Sequence, residues 1–442
     1  MNIMPYRYQL LQKTVETYRD IHVPLVVKTG NVYSAAGFGD DNGIYLIIPW
    51  LVRFLGVSLD KAIDIFFFSL IGTGLFLSVI GFGVLFKKYL FQGKNLTVNL
   101  LALLFAFPIP WIVLYGGLSI NRCNAIYFIF MTMVGLMIAA KVFRFVPRVL
   151  LFNVIVWSGL LYMASCARYW GDLYITEMFC VSSIIPAVLA WQKLKGKMNL
   201  FFIILMAFSG FIVGFCNSIH SEGGVGAFLF LVILVFLNQG LKWREKITAF
   251  LVLMIFALMP YGILLKEEKN RDGFLASHLA DYKPATSSHP FWHSVYIGLG
   301  YIPNKYKIQY LDQSGMAAAL AVDPKVTLYS EEYNQILKDK IISILKNDFG
   351  FIVKVVMAKM AMVLLYIVVF ANVGIFLCGK QRPGLSVLFP FLLSGFFYSI
   401  PGLLVMPNQR YILGLISLSI VFCVYMSGVW MEKVSNNPAG AV

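Results

Sequence analysis

The sequence predicts an all-α integral membrane protein of about eleven transmembrane helices plus an interfacial helix. Three observations predict it. Of 442 residues, 59% are hydrophobic and 13% charged, with a mean hydropathy of +0.77; a soluble domain must keep far more of its surface polar. Long uncharged runs recur, each able to cross a hydrocarbon core of roughly 30 Å. Lys and Arg gather in alternate loops, as they do where charge sets orientation in a bilayer.

The elements follow in order. Residues 1–43 carry four basic residues and no hydrophobic signal. The expectation is that a first spanning helix lies upstream of this start, the alternative being a tail that crosses unaided. GIYLIIPWLVRFLG (44–57) is apolar but short and holds Pro49 and Arg53, so it reads as interfacial. Spanning helices are predicted at 62–86, 97–118, 124–142, 149–166, 174–192, 199–216, 224–239, 247–265, 354–378, 384–405 and 411–430. The chain then divides into a first outer segment (1–61), a helix bundle (62–265), an outer loop (266–350) and C-terminal spanning helices (351–442). Within the outer loop, Ser330 can cap a helix opening on Glu331 and Glu332. Tyr333, Ile336, Leu337, Ile341, Ile344 and Leu345 repeat at helical spacing, predicting an amphipathic helix over 331–347.

Loop charges orient this map. KKYLFQGK (87–94), KVFRFVPR (141–148), QKLKGK (192–197), KWREK (242–246) and GKQR (379–382) are basic, whereas the alternate short loops hold one Arg each (Arg122, Arg168, Arg410). The basic set is therefore assigned to the cytoplasm. All five His then lie outside. The net charge of +15 encodes topology rather than a nucleic-acid partner. Cys123, Cys166, Cys180, Cys216, Cys378 and Cys423 lie in or beside apolar runs without CxxC spacing, as buried small hydrophobes do. No internal repeat and no nucleotide-binding loop are visible.

The residues able to carry chemistry cluster on the outer side. GFGDDNG places the adjacent carboxylates Asp40 and Asp41 before the interfacial helix. They suit a general base with a neighbour that tunes it, or a solvated Gly/Asp turn. Arg168 in CARYWGDL and Arg410 in VMPNQRY are retained where basic residues are scarce. Each suits a phosphate, which a planar guanidinium grips through two oxygens, or an interfacial anchor. His220 and Glu222 share the tight loop CNSIHSEGG and suit hydrogen bonds to substrate more than a metal, which needs further ligands. HPFWHSVY holds His289, Trp292, His293 and Tyr296, with Asp312 downstream. Pro290 and the missing Glu exclude HExxH zinc chemistry, so no metal and no cofactor are expected.

Taken together, the acidic first outer loop and interfacial helix, Arg168, and the Arg410–Tyr411 pair opening a late helix resemble the GT-C superfamily of membrane glycosyltransferases. The resemblance implies a polyprenyl-phosphate-linked sugar donor reaching an outward-facing site from the bilayer, and a glycan or lipid acceptor of the cell envelope such as lipopolysaccharide. It implies localisation in the bacterial inner membrane. In that scheme Asp41 or Asp40 is the general base for inverting transfer, and Arg168 and Arg410 hold the phosphate. Trp292 and Tyr296 stack on sugar, while His220, Glu222, His289, His293 and Asp312 supply hydrogen bonds. The alternatives are an O-antigen-type polymerase or ligase, whose outer loop usually holds more Arg than the single Arg271 here, and a lipid-linked glycan transporter or flippase. A transporter predicts polar residues at mid-membrane, whereas Glu177 and Lys359 are expected near helix ends, where snorkelling suffices.

Overall fold

The computed structural model describes residues 5–37, 41–90, 96–107, 147–170, 173–194, 197–280, 282 and 291–436. The protein is an all-α multi-pass membrane protein. Among the described residues, eight helices are long and apolar enough to cross a bilayer: Leu59–Leu85, one opening at Arg148, Ile175–Lys193, Leu200–Ile219, Trp243–His278, Phe349–Gln381, Leu385–Leu404 and Leu413–Asn436. Predicted span 124–142 and the second half of 97–118 lie outside the described residues, the first half of the latter being the helix Leu96–Ala106. The segment predicted at 224–239 is a helix of 13 residues, Val225–Leu237, about 20 Å long at 1.5 Å per residue and too short to span alone.

Close helix packing follows from small residues. Gly210 and Gly214, one helical turn apart, face Trp243–His278 so tightly that a Cβ on either would sit 2.3 Å from Leu253 O or 2.1 Å from Ala257 O. Lipid offers no hydrophobic drive between helices, so close backbone approach and dispersion hold such a pair. Gly74 and Gly81 play the same part for Leu59–Leu85 against Ile175–Lys193, facing Ser182 and Pro186.

Several elements differ from the predicted ones. Residues 1–43 are not a bare tail. Pro5–Ile21 is a helix, followed by an antiparallel hairpin pairing Val26–Thr29 with Val32–Ala35 around Gly30 at φ +62°. The helix predicted to stop at 265 continues to His278, because KEEKNRDGF contains no Pro and its charged residues are good helix formers. The extension supports the hairpin through Tyr33, whose ring meets Phe274 edge-on at 5.2 Å. The amphipathic helix runs Glu331–Asn347, with the Ser330 hydroxyl accepting from Tyr333 N. After Asp348 the chain enters Phe349–Gln381 at once. The divisions drawn at 265 and 350 thus fall inside helices.

Glu177 and Lys359 do not snorkel. Both are 1% exposed. Glu177 accepts from Gly414 N at 2.7 Å, satisfying an N–H left open at the start of Leu413–Asn436. Lys359 donates to Leu404 O at 2.9 Å, satisfying a carbonyl left open where Leu385–Leu404 ends.

The core has two parts. The larger fills the helix bundle. The smaller lies under the outer segment, where Tyr296, Leu299, Tyr333, Leu337 and Ile341 join Phe351 and Val355 at the head of Phe349–Gln381. A small cover with its own core therefore sits over one end of the bundle.

Candidate functional site

Beneath that cover is a cavity of about 680 Å³ at the bundle end opposite the basic loops. Helix ends build it. Tyr6 and Arg7 come from the first turn of Pro5–Ile21, Tyr174 from just before Ile175–Lys193, and His220 and Glu222 from just after Leu200–Ile219. Leu404 and Val405 come from the end of Leu385–Leu404, and Arg410 and Tyr411 from the turn before Leu413. The cover adds His293, Tyr310 and Asp312.

Arg7 reaches the cavity because Arg7, Leu11 and Val15 share the buried face of their helix, the spacing that brings side chains into line. Its Nε donates to Asp41 Oδ2 at 2.8 Å, with the two side chains 7% and 0% exposed. Asp41 sits at the head of Asn42–Leu55, which Gly43 lets press against Ser218 O. The carboxylate is thus behind Arg7 and does not line the cavity.

Elsewhere on the wall, the Arg410 guanidinium lies 5.0 Å from the Tyr174 ring and 5.9 Å from Tyr411, a cation–π arrangement that fixes its plane. Tyr174 also packs on His220 at 4.5 Å, and Tyr310 donates its hydroxyl to Tyr411 at 2.6 Å. Burial, then the positive charges of Arg7 and Arg410, push the His220 imidazole down to about 3, so it is neutral near pH 7. Burial raises Tyr310, and the neighbouring Tyr411 adds to it. The Tyr310 phenol therefore stays a protonated hydrogen-bonding group.

In the cover, His293 is fully buried. Its Nδ1 lies 2.6 Å from the Tyr333 hydroxyl and its Nε2 3.2 Å from Asp312 Oδ1. Tyr329 packs edge-on against the same ring at 5.5 Å from a backbone at φ +64°. That conformation costs a non-glycine residue about 1 kcal/mol, and here it is held by the Tyr329–His293–Tyr333 cluster.

The structure therefore brings Arg410, His220, Glu222, His293 and Asp312 to one cavity. Arg168 is elsewhere, exposed in the last turn of Arg148–Trp170. Trp292 and Tyr296 do not line the cavity as sugar platforms. Four residues apart on one helix face, they turn toward the cover's core, Trp292 near Lys338 and Tyr296 only 6% exposed. Asp40 and His289 lie outside the described residues. Sequence reasoning missed Arg7 and Tyr174. Arg7 was legible as a basic residue in register with Leu11 and Val15, whereas Tyr174 carried no signal beyond an aromatic at a helix end. Among the described residues, no three His, Cys, Asp or Glu side chains gather as a metal site requires.

No protein-family model, no curated protein and no solved structure matches the chain.

Proposed function

We propose that this protein is a membrane glycosyltransferase that moves a single sugar from a polyprenyl-phosphate donor to an acceptor of the cell envelope. In that role it sits in the inner membrane, with the cavity facing outward. One observation carries the proposal: two guanidiniums, Arg7 and Arg410, line one membrane-end cavity whose remaining walls hold carboxylates, imidazoles and phenols. Its volume falls in the usual range for small-molecule sites. The guanidiniums suit the donor phosphate and the charge that develops on it as it leaves. Asp41 fixes Arg7 from behind, and the Tyr174–Tyr411 pair fixes Arg410. Mid-membrane charges of the kind a transporter uses are not available in Glu177 and Lys359, since both are committed to helix ends.

Deleting the gene and weighing surface glycans by mass spectrometry tests the proposal. Loss of one hexose- or pentose-sized substituent is the expected result. Shortened glycan chains point instead to the polymerase, and unchanged glycans under conditions of expression reject transfer altogether.

A further inference from the structure

Of the two carboxylates in the first outer loop, Asp41, the one among the described residues, is a poor match for the proton-accepting role. Asp41 is 0% exposed, bound to Arg7 and outside the cavity wall. A base must reach the hydroxyl whose proton it takes. Asp312 can. It lines the cavity, and its side chain remains 51% exposed while one oxygen meets a fully buried imidazole. We propose that Asp312 is the general base of the transfer, oriented from behind by the His293–Tyr333 pair. This rests on the glycosyltransferase reading above.

Three features support it. Burial raises the Tyr333 phenol, and the charges of Tyr329 and Asp312 add to that, so Tyr333 keeps its proton and donates to His293 Nδ1. The tautomer this selects puts a proton on Nε2, which donates to Asp312 Oδ1. The imidazole thus fixes one carboxylate oxygen in the way an orienting group fixes a catalytic base. Second, Asp312 stands in the first turn of Asp312–Leu320, where the helix dipole favours its ionised, proton-accepting form. Third, the fit is close on all sides: a Cβ on Gly315 would lie 2.7 Å from His293 Nδ1 and 3.1 Å from the Tyr333 hydroxyl. Tyr329 meets the same ring edge-on at 5.5 Å. Tyr310 also senses the Asp312 charge. His293 and these three phenols are among the titratable groups around Asp312.

The step balances. The acceptor hydroxyl gives its proton to the Asp312 carboxylate as its oxygen bonds to the anomeric carbon. The bond from that carbon to the phosphate oxygen breaks, and its electron pair leaves on polyprenyl phosphate beside Arg7 and Arg410. The neutral Asp312 carboxyl then loses its proton to water.

The test uses membrane vesicles from the deletion strain, which hold the native donor and acceptor, with purified full-length protein added back. Wild-type protein should restore the sugar; if it does not, the glycosyltransferase reading fails, whatever base it uses. With wild type active, Asp312→Asn should lower the rate by about 10²- to 10⁴-fold, and Asp312→Glu should recover part of it. Retention of polyprenyl phosphate by the Asn variant in proteoliposomes should match wild type, since the arginines are untouched. Tyr333→Phe removes a single hydroxyl, so His293 no longer holds one tautomer and hydrogen-bonds the carboxylate less well. The acid limb of the pH–rate profile should then move to higher pH. A merely structural Tyr333 leaves that limb in place, which overturns the orienting role. Wild-type turnover by Asp312→Asn overturns the base assignment. The assignment also fails if Glu222→Gln abolishes transfer while Asp312→Asn does not.

Discussion

Arg7 and Asp41 form a buried ion pair beside the cavity. Both side chains are buried, at 7% and 0% exposure, and Nε meets Oδ2 at 2.8 Å. Replacing Arg7 by Met fills similar space but strands a buried carboxylate, and replacing Asp41 by Asn keeps the shape but strands a buried guanidinium. Breaking a buried pair from either side costs about 3–5 kcal/mol. The double replacement strands no charge, so its loss should fall short of the sum of the singles by about 2–3 kcal/mol. Thermal denaturation of purified protein in detergent, run as a double-mutant cycle, measures this. The vesicle transfer assay adds a kinetic readout: Asp41→Asn should act mainly through KM for the donor, because Arg7 is no longer held in place. Additive single losses refute the pairing argument. A collapse of kcat with KM unchanged refutes the positioning role and returns Asp41 to the role of base.

The remaining expectations concern packing and pH. Gly214→Ala should lower the melting temperature by forcing Leu200–Ile219 away from Ala257 O, whereas Gly262→Ala, with nothing within 4 Å of the new Cβ, should be neutral or stabilising by up to about 1 kcal/mol. His220 is held neutral in the fold, at about 3 against 6.5 for the free group. The unfolded chain therefore binds the extra proton first, and stability present above pH 6.5 should be lost as pH falls toward 3. The slope is at most roughly 1.4 kcal/mol per pH unit, and melts of His220→Phe against pH should lack it. Lys359→Met removes a buried amine whose hydrogen bond goes to the Leu404 carbonyl, so it should leave transfer intact; loss of transfer gives Lys359 a role beyond closing the helix end.

Much of the scaffold was legible because lipid allows few solutions. A spanning run must satisfy its backbone internally, which makes hydropathy a direct readout of helices. The amphipathic helix after Ser330 was legible for a different reason, a cap followed by a regular apolar stripe. What the sequence concealed was polar structure. KEEKNRDGF reads as a loop by hydropathy, yet its Lys, Glu and Arg residues carry the helix on, and Tyr33 packs on that extension through Phe274. Glu177 and Lys359 read as peripheral because the sequence does not reveal which helix end will open a backbone group beside them. Within the site, residue types were visible but facings were not. In HPFWHSVY, the same helical turn sends His293 toward the cavity wall and Trp292 and Tyr296 toward the core, and only the docking of Glu331–Asn347 decides which is which.

The arrangement also explains why the sequence draws attention to a different acid. Asp40 and Asp41 stand out because two carboxylates adjoin a membrane-seeking helix without visible partners. The partner of Asp41 is 34 residues upstream, on a helix that hydropathy does not report. Once paired with Arg7, Asp41 is held behind the wall, and Arg7 is the side chain that faces the cavity. Asp312 is the reverse case. In sequence it is an isolated acid in a polar stretch, and its significance arises only when His293 and Tyr333, from two other helices, converge behind it. An ion pair removes one carboxylate from play, and a buried imidazole puts another into play. The N-terminal helix and the cover thus add Arg7 and Asp312 to the Arg410 and Glu222 that the ends of spanning helices supply.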